Sequence, residues 1–315
     1  MGGPLIILFL FYTVALQLGK QPHWKDSLRS IMDAATGQQQ WKLYCMFGLM
    51  WVNWSLETIK WKIALRPVQP IHFLLAFKAI LAGTCIASFT PNRVGEYLGR
   101  MLFVNPENKM RSVAPSILCS RSQMLFTLIA GSGGLYLFST VPYHFEAKWM
   151  TPLLLKSAMM GTIGMTVVFG LVYFRFDPMV QRINQWFKTK KNRITLPLNF
   201  SMPVLSGLLF ISMIRYGVFV LQYFLLFSAF GIPLMIIQVF TGLSVMFVLM
   251  AIIPTLTFLT DLGFRWVVGI QIFQIFTLNT AGILAVSLGI WLINLIIPAL
   301  IGSLLILRIK LFSNR

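Results

Sequence analysis

Charged side chains are scarce in this sequence: they make up 11% of its 315 residues, whereas 57% are hydrophobic. A soluble domain carries about 25% charged residues. The deficit excludes a globular domain with a solvated surface and indicates a chain that is surrounded mainly by hydrocarbon. We therefore predict an all-α fold, a polytopic membrane helix bundle with no soluble domain of appreciable size.

Acidic residues are the rarest charged type: there are 8 Asp and Glu against 26 Lys and Arg, a formal net charge of +18. In a soluble protein this balance favours nucleic-acid binding. In a membrane protein it has a different cause, because basic residues crowd the cytoplasmic loops and set the orientation. We therefore expect no nucleic-acid partner. Some arginines, however, lie inside apolar tracts, where a charge is tolerated only beside a partner or a wet cavity.

Cysteine and histidine number three each, and neither type is spaced as a ligand set. The cysteines lie in apolar tracts without a C-x-x-C pattern, which is typical of small buried hydrophobes: Cys45, Cys85 and Cys119. We predict no metal site and no cofactor. The Walker loop, the nucleophile elbow, the H-E-x-x-H motif and the dinucleotide fingerprint are also absent. We therefore expect no enzyme, and transport without ATP.

Nine apolar segments divide the chain: 4–19, 41–59, 71–89, 113–138, 151–174, 202–230, 234–254, 266–281 and 283–307. The loop 175–193 is strongly basic and is predicted to be cytoplasmic, as is the loop that holds Lys60, Lys62 and Arg66. Arg308 and Lys310 likewise predict a cytoplasmic C-terminus. The whole chain is expected to form a single integral membrane domain.

The number of crossings between the predicted cytoplasmic loops must be even. Segments 113–138 and 151–174 supply two, so region 71–111 supplies none or two. After its polar break only about twelve residues remain, a rise of about 18 Å against about 30 Å of hydrocarbon. We therefore predict a re-entrant hairpin with its tip at 90–95. The same count predicts a second hairpin in 234–281, broken at 254–263 and inverted. Opposed broken helices are the recurring design of secondary transporters.

The first break carries the densest set of polar residues. Thr90 and Asn92 flank Pro91, which ends the first arm and frees backbone carbonyls. Behind them Gly95 and Gly99 provide a smooth surface for close helix packing.

Charged residues follow on the return helix. Arg93, Glu96 and Arg100 share one helical face, so the acid can hold an arginine while the remaining positive charge binds a phosphate. The alternative is a charged helix end at the membrane interface.

Further polar residues interrupt the other apolar tracts. Arg121, Gln123 and Arg215 lie well inside their segments, and Glu57 and Glu96 are candidate partners for Arg121. The second break supplies Asp261 and Arg265 at i and i+4. We predict a site for a lipid headgroup from these residues and those of the first break, with Asn53, Glu57, Pro91, Gly95 and Pro254 in support. Structural ion pairs are the alternative for each of them.

The sequence at the first break resembles the lysylphosphatidylglycerol synthase transmembrane-region family, the flippase-like domain. The resemblance lies first in Thr90-Pro91-Asn92-Arg93-Val94-Gly95-Glu96, where the family has Thr-Pro-Gly/Asn-Arg-x-Gly-Glu. Asn53-Trp54-Ser55-Leu56-Glu57, Arg121-Ser122-Gln123 and the stretch from Pro254 to Arg265 are also similar. At the second break the family has Arg-Glu, whereas Trp266 follows Arg265 here, and Asp261 is a substitute acid.

The resemblance implies a stand-alone flippase-like protein of a cytoplasmic (inner) cell membrane, bacterial or archaeal. Such a protein would translocate an anionic or modified phospholipid or a polyprenyl-linked lipid, with membrane lipids as its partners. Two alternatives stay open: a membrane-embedded lipid-modifying enzyme, and a non-catalytic membrane partner of a glycosyltransferase. A homo-oligomer is a further possibility.

Overall fold

A computed structural model of the chain describes residues 29, 32–33, 36–37, 39–140, 151–175, 200–252 and 258–312. These residues form helices and connecting turns with no strand among them, so the predicted all-α class is confirmed. The predicted segment 4–19 and nearly all of the basic loop 175–193 lie outside the described residues.

Ten α-helices make up the described part of the chain. They are α1 (Gln40–Leu65), α2 (Phe73–Ala87), α3 (Gly95–Met101), α4 (Val113–Phe138), α5 (Pro152–Phe174), α6 (Met202–Ala229), α7 (Ile236–Ile252), α8 (Phe258–Phe273), α9 (Thr280–Trp291) and α10 (Ile297–Phe312). A π-helical turn, Leu292–Ile296, joins α9 to α10. Four stretches are long and apolar enough to cross a membrane: Met110–Phe138, Pro152–Phe174, Met202–Ala229 and Thr280–Leu307.

Helices α1 and α6 form the antiparallel centre of the bundle. Lys42 donates to Ser228 at 2.6 Å near the start of α1, Arg215 donates to Asn53 at 2.8 Å midway, and contacts near the end of α1 reach earlier residues of α6. The bundle thus has a Gln40 end, where α1 begins, and a Leu65 end, where α1 finishes and α6 begins. Helix α4 runs parallel to α6, because its contacts with α6 advance together along both helices.

The first hairpin consists of α2 and α3. The two arms are antiparallel and touch backbone to backbone at Gly83 and Gly99, where a Cβ on Gly99 would collide with Gly83. At the open end of the hairpin, the Gln69 side-chain oxygen accepts from the backbone N–H of Asn105 at 3.1 Å. Since Gln69 follows α1 directly, this hairpin enters and leaves at the Leu65 end.

The second hairpin consists of α7 and α8 and has the opposite orientation. Gly242 faces the ring of Phe273, and Gly269 faces Met246, so the arms are again antiparallel. Helix α7 runs antiparallel to α4, with Gly131 against Val248. It therefore enters at the Gln40 end, where α9 also begins.

The two hairpins dock reciprocally on the opposite halves of the chain. Helix α2 packs on α10, where Gly302 lies against the Leu81 carbonyl, while α7 packs on α4. At the tip of the first hairpin, Phe89 packs against an apolar cluster that includes Leu262 and Trp266 of α8. The described helices thus repeat one plan with inverted direction: long helix, hairpin, long helix.

Two sequence predictions about the elements are wrong. Lys60 lies inside α1 and is fully buried, because α1 continues to Leu65 instead of ending near residue 59. The predicted segment 266–281 is divided: α8 begins at Phe258 and ends at Phe273, and a turn follows before α9. Hydropathy averaged over a window does not register such a turn, since its polar residues, Gln274, Thr277 and Asn279, alternate with apolar ones.

Candidate functional site

A carboxylate at the centre of the bundle, Glu57, holds three basic side chains. Lys60 on the next turn of α1 lies 2.8 Å away, Arg100 from α3 donates at 2.9 Å, and Arg215 from α6 donates to the second oxygen. Glu57 is only 4% exposed, and Lys60 and Arg100 are fully buried. A buried charge needs a partner, and here one carboxylate serves three cations.

Arg100 projects from the short α3 into this centre. Its guanidinium also pairs with Glu96 one turn earlier and lies 5.7 Å from the ring centroid of Trp61. Both carboxylates contact the same terminal nitrogen of Arg100. Its Nε and its other terminal nitrogen have no hydrogen-bond partner among the described residues, and neither does the buried amide nitrogen of Asn53. These are donors, and a buried unpaired donor is costly unless water or a ligand meets it.

Arg215 is fixed by α1 and α4. Its Nε donates to the Asn53 oxygen at 2.8 Å, and its terminal nitrogen is 3.4 Å from the Gln123 oxygen. A small hydroxyl network continues behind it, where Ser212 lies 3.0 Å from Ser122 and 3.4 Å from Lys60. The polar centre therefore joins α1, α3, α4 and α6.

The centre lies deep within the bundle. Glu57 precedes the end of α1 by eight residues, about 12 Å of helix, and Arg215 follows the start of α6 by thirteen, about 20 Å. Its three buried cations exceed the two carboxylates, Glu57 and Glu96, by one charge. An excess positive charge at such depth is expensive in a membrane and marks a functional site by default.

The tip of the first hairpin is built by local interactions. The Thr90 hydroxyl accepts from the backbone N–H of Gly95 at 2.7 Å, and a Cβ on Gly95 would collide with Ile86 and Thr90. Pro91 begins a 3₁₀ turn, Pro91–Arg93, where its missing N–H leaves no donor unsatisfied.

Arg93 lies at the outer edge of the polar centre. Its φ of +58° falls in the left-handed region, a conformation that costs a non-glycine residue about 1–3 kcal/mol. Its side chain is 49% exposed and its Nε is 3.9 Å from Glu96, which is 17% exposed. Arg93 is thus a strained, exposed arginine at the surface of the bundle, next to the buried cations.

The second hairpin carries a related pair. Asp261 and Arg265 have the same i, i+4 spacing as Glu96 and Arg100, and the Arg265 Nε is 2.8 Å from the acid. The buried hydroxyl of Tyr223 lies close to Arg265.

Helices α1 and α6 also carry polar or aromatic residues at equivalent positions, counted from the start of each helix. Asn53 of α1 and Arg215 of α6 are each the fourteenth residue, and Trp61 of α1 and Tyr223 of α6 are each the twenty-second. The position of Glu57, however, is taken by Phe219 in α6. The second pair thus lacks the central carboxylate.

The structure brings together seven of the residues predicted for the site. Asn53, Glu57, Glu96, Arg100 and Arg215 form the polar centre, with Gln123 and Arg93 at its edges.

Arg121 does not pair with Glu57 or Glu96 as expected: its guanidinium lies over the ring of Phe169 at 5.6 Å, and the two acids are occupied by other cations. The Asn92 side chain and Pro254 lie outside what the structure describes.

Sequence reasoning missed Lys60, Trp61 and Ser212. The signal for Lys60 was its i, i+3 spacing from Glu57, which places both on one helical face. Trp61 and Ser212 gave no signal, since an apolar helix contains many such residues. Among the described residues, no group of three His, Cys, Asp or Glu side chains is placed to hold a metal ion.

Fold and site together define a multi-pass α-helical membrane protein with a charged centre between two opposed hairpins. No protein-family model, curated protein or solved structure matches the chain.

Proposed function

We propose that this protein translocates an anionic or modified phospholipid, or a polyprenyl-linked lipid, across the membrane, with the headgroup held by intramembrane arginines at the helix breaks. The observation that carries the proposal is the polar centre: Arg100 is fully buried with donors unpaired, beside one excess positive charge. An anionic phosphate supplies both the missing acceptors and the missing charge.

The resemblance at residues 90–96 supports the same function. The family motif falls at the tip of the first hairpin, next to the polar centre. Arg93 is the accessible cation there, so we infer that it makes the first contact with a headgroup, which then moves to Arg100. The acyl chains stay in the surrounding hydrocarbon while the headgroup moves through the bundle. Their apolar surface is never exposed to water, so this movement costs no hydrophobic free energy.

We propose that the second pair, Asp261 and Arg265, is the corresponding headgroup site on the second hairpin. Its hairpin enters from the Gln40 end, and Arg265 is paired with one carboxylate only. Two stations reached from opposite ends are what a transporter with inverted repeats requires.

Charge distribution supports an orientation. Helix α5 ends and α6 begins at the Leu65 end, where α10 also finishes. In sequence, the basic segment 175–193 stands between α5 and α6. By the positive-inside rule this end faces the cytoplasm, with the C-terminus, in an inner cell membrane.

The test is translocation of fluorescent phosphatidylglycerol in proteoliposomes that contain the full-length protein. We expect Arg93→Gln and Lys60→Met to slow translocation by about tenfold or more, since a charge-assisted hydrogen bond contributes about 1.5–3 kcal/mol. The matched control is Lys62→Met, because Lys62 is exposed on the same helix two residues away. Equal rates for wild type and both site variants would contradict the proposal.

A further inference from the structure

We propose that a cavity between α4, α5 and α7 binds one hydrocarbon chain of a membrane lipid. The cavity has a volume of about 260 Å³ and lies away from the polar centre, toward the Gln40 end. None of the residues of the polar centre lines it. It is lined by Leu135 of α4, by Leu154, Leu155, Ala158, Gly161, Thr162 and Met165 of α5, and by Val245, Val248, Leu249 and Ile252 of α7.

The lining offers no polar partner. Its one polar side chain is Thr162, whose hydroxyl donates to the carbonyl of Ala158 in its own helix at 2.8 Å. A water molecule needs two to four polar partners, so a cavity of this kind stays dry and accepts an apolar ligand.

The mouth of the cavity opens on the outer surface of the bundle. Leu154, Met165 and Ile252 are 48%, 40% and 51% exposed, although each contributes to the lining. Helix α5, which forms one wall, is a candidate membrane span in which few residues are buried. The medium outside the mouth is therefore lipid, and its most abundant apolar chain is an acyl chain.

The sequence keeps the cavity open by means of small residues. No atom lies within 4 Å of the position where Gly161 would carry a Cβ. On another wall, Gly131 and Gly134 of α4 touch Val248 and Ser244, which holds α7 close to α4. Helix α5 packs on α4 as well, where the hydroxyls of Ser132 and Thr166 are 3.1 Å apart, but it makes few contacts with α7. The cavity is therefore the space between α5 and α7.

This site is independent of the proposed translocation, since its ligand is the hydrocarbon chain and not the headgroup. The probe can therefore be zwitterionic: phosphatidylcholine with a diazirine in one acyl chain, reconstituted with the full-length protein. After photolysis, peptide mapping by mass spectrometry measures labelling of α5 and α7.

We expect labelling at the lining residues of wild-type protein and a drop of about tenfold in Gly161→Phe, whose ring takes up part of the cavity. Gly164→Phe is the matched control, since Gly164 is exposed on α5 and does not line the cavity. Arg93→Gln should label like wild type, because it alters only headgroup contacts.

Equal labelling of Gly161→Phe and wild type would overturn the proposal. So would the absence of lipid adducts at the lining residues of the wild-type protein.

Discussion

Glu57 forms ion pairs with three basic side chains, Lys60, Arg100 and Arg215, of which Arg100 is also paired with Glu96. Removing one partner of a buried ion pair costs more than the pair itself contributes, because an uncompensated charge is left behind. The Glu57 carboxylate is thus needed for the stability of the folded protein as well as for the charge of the site.

Glu57→Gln should therefore destabilise the protein by about 3–5 kcal/mol. Adding Lys60→Met should recover part of the loss, because it removes one of the cations left without a counter-charge. The measurement is the free energy of unfolding in detergent, with the exposed Glu107→Gln as control. A Glu57→Gln protein as stable as the control would show that the three cations do not depend on this carboxylate.

At the scale of single elements, the first hairpin depends on contact between glycines. The arms α2 and α3 approach until the backbones touch at Gly83 and Gly99, and the other side of α2 meets Gly302 of α10. The short α3 has seven residues and would not be stable alone. Its position, and with it that of Arg100, follows from this packing.

Gly99→Val should separate α2 from α3 and lower stability by about 1–3 kcal/mol or more, the usual effect of overpacking. Gly48→Val is the control, since no atom lies within 4 Å of a Cβ at that position. Thermal unfolding of the purified variants measures the difference. A midpoint for Gly99→Val no lower than that of Gly48→Val would refute the role of the glycine contact.

The elements show where sequence reasoning works and where it fails. Segment 113–138 was predicted with the bounds that α4 has, because a polar stretch precedes it and a turn follows it. The end of α1 was misplaced because Lys60 and Lys62 look alike in sequence, although one is buried and the other exposed. The distinction depends on the position of α6, which local sequence does not contain.

The residues of the candidate site could be predicted in part from the sequence, but their pairing could not. Glu57 and Arg215 were identified because a charge in an apolar tract is conspicuous, and Arg100 because it shares a helical face with Arg93 and Glu96. They were predicted to belong to one site, but the pairing of Arg100 and Arg215 with Glu57 was not predicted. Glu57 and Glu96 were candidate partners of Arg121, whose side chain lies over Phe169 instead. Tertiary packing decides which of several buried arginines reaches a carboxylate.

At the scale of the whole molecule, the opposed hairpins make a prediction about sidedness. The open ends of the first hairpin lie at the Leu65 end, and those of the second at the Gln40 end. Because the two hairpins enter from opposite ends, the two halves of the chain have opposite directions, and their first long helices, α1 and α6, pack antiparallel.

Single cysteines in a variant without Cys45, Cys85 and Cys119 can test this arrangement. Met235→Cys and Leu278→Cys flank the second hairpin and should react with a membrane-impermeant thiol reagent from one side. Asn105→Cys, at the open end of the first hairpin, should react from the other side only. Labelling of Met235→Cys and Leu278→Cys from opposite sides would mean that one arm of the second hairpin crosses the membrane.

The most direct measurement of the central claim is the stability gained from anionic lipid at the polar centre. Wild-type protein in nanodiscs should unfold at a higher temperature in phosphatidylglycerol than in phosphatidylcholine, because a ligand that binds the folded state stabilises it. Arg100→Lys keeps the charge but loses the unpaired guanidinium donors, so it should unfold at a similar temperature in both lipids. An equal gain from phosphatidylglycerol in wild type and Arg100→Lys would contradict a headgroup site at Arg100.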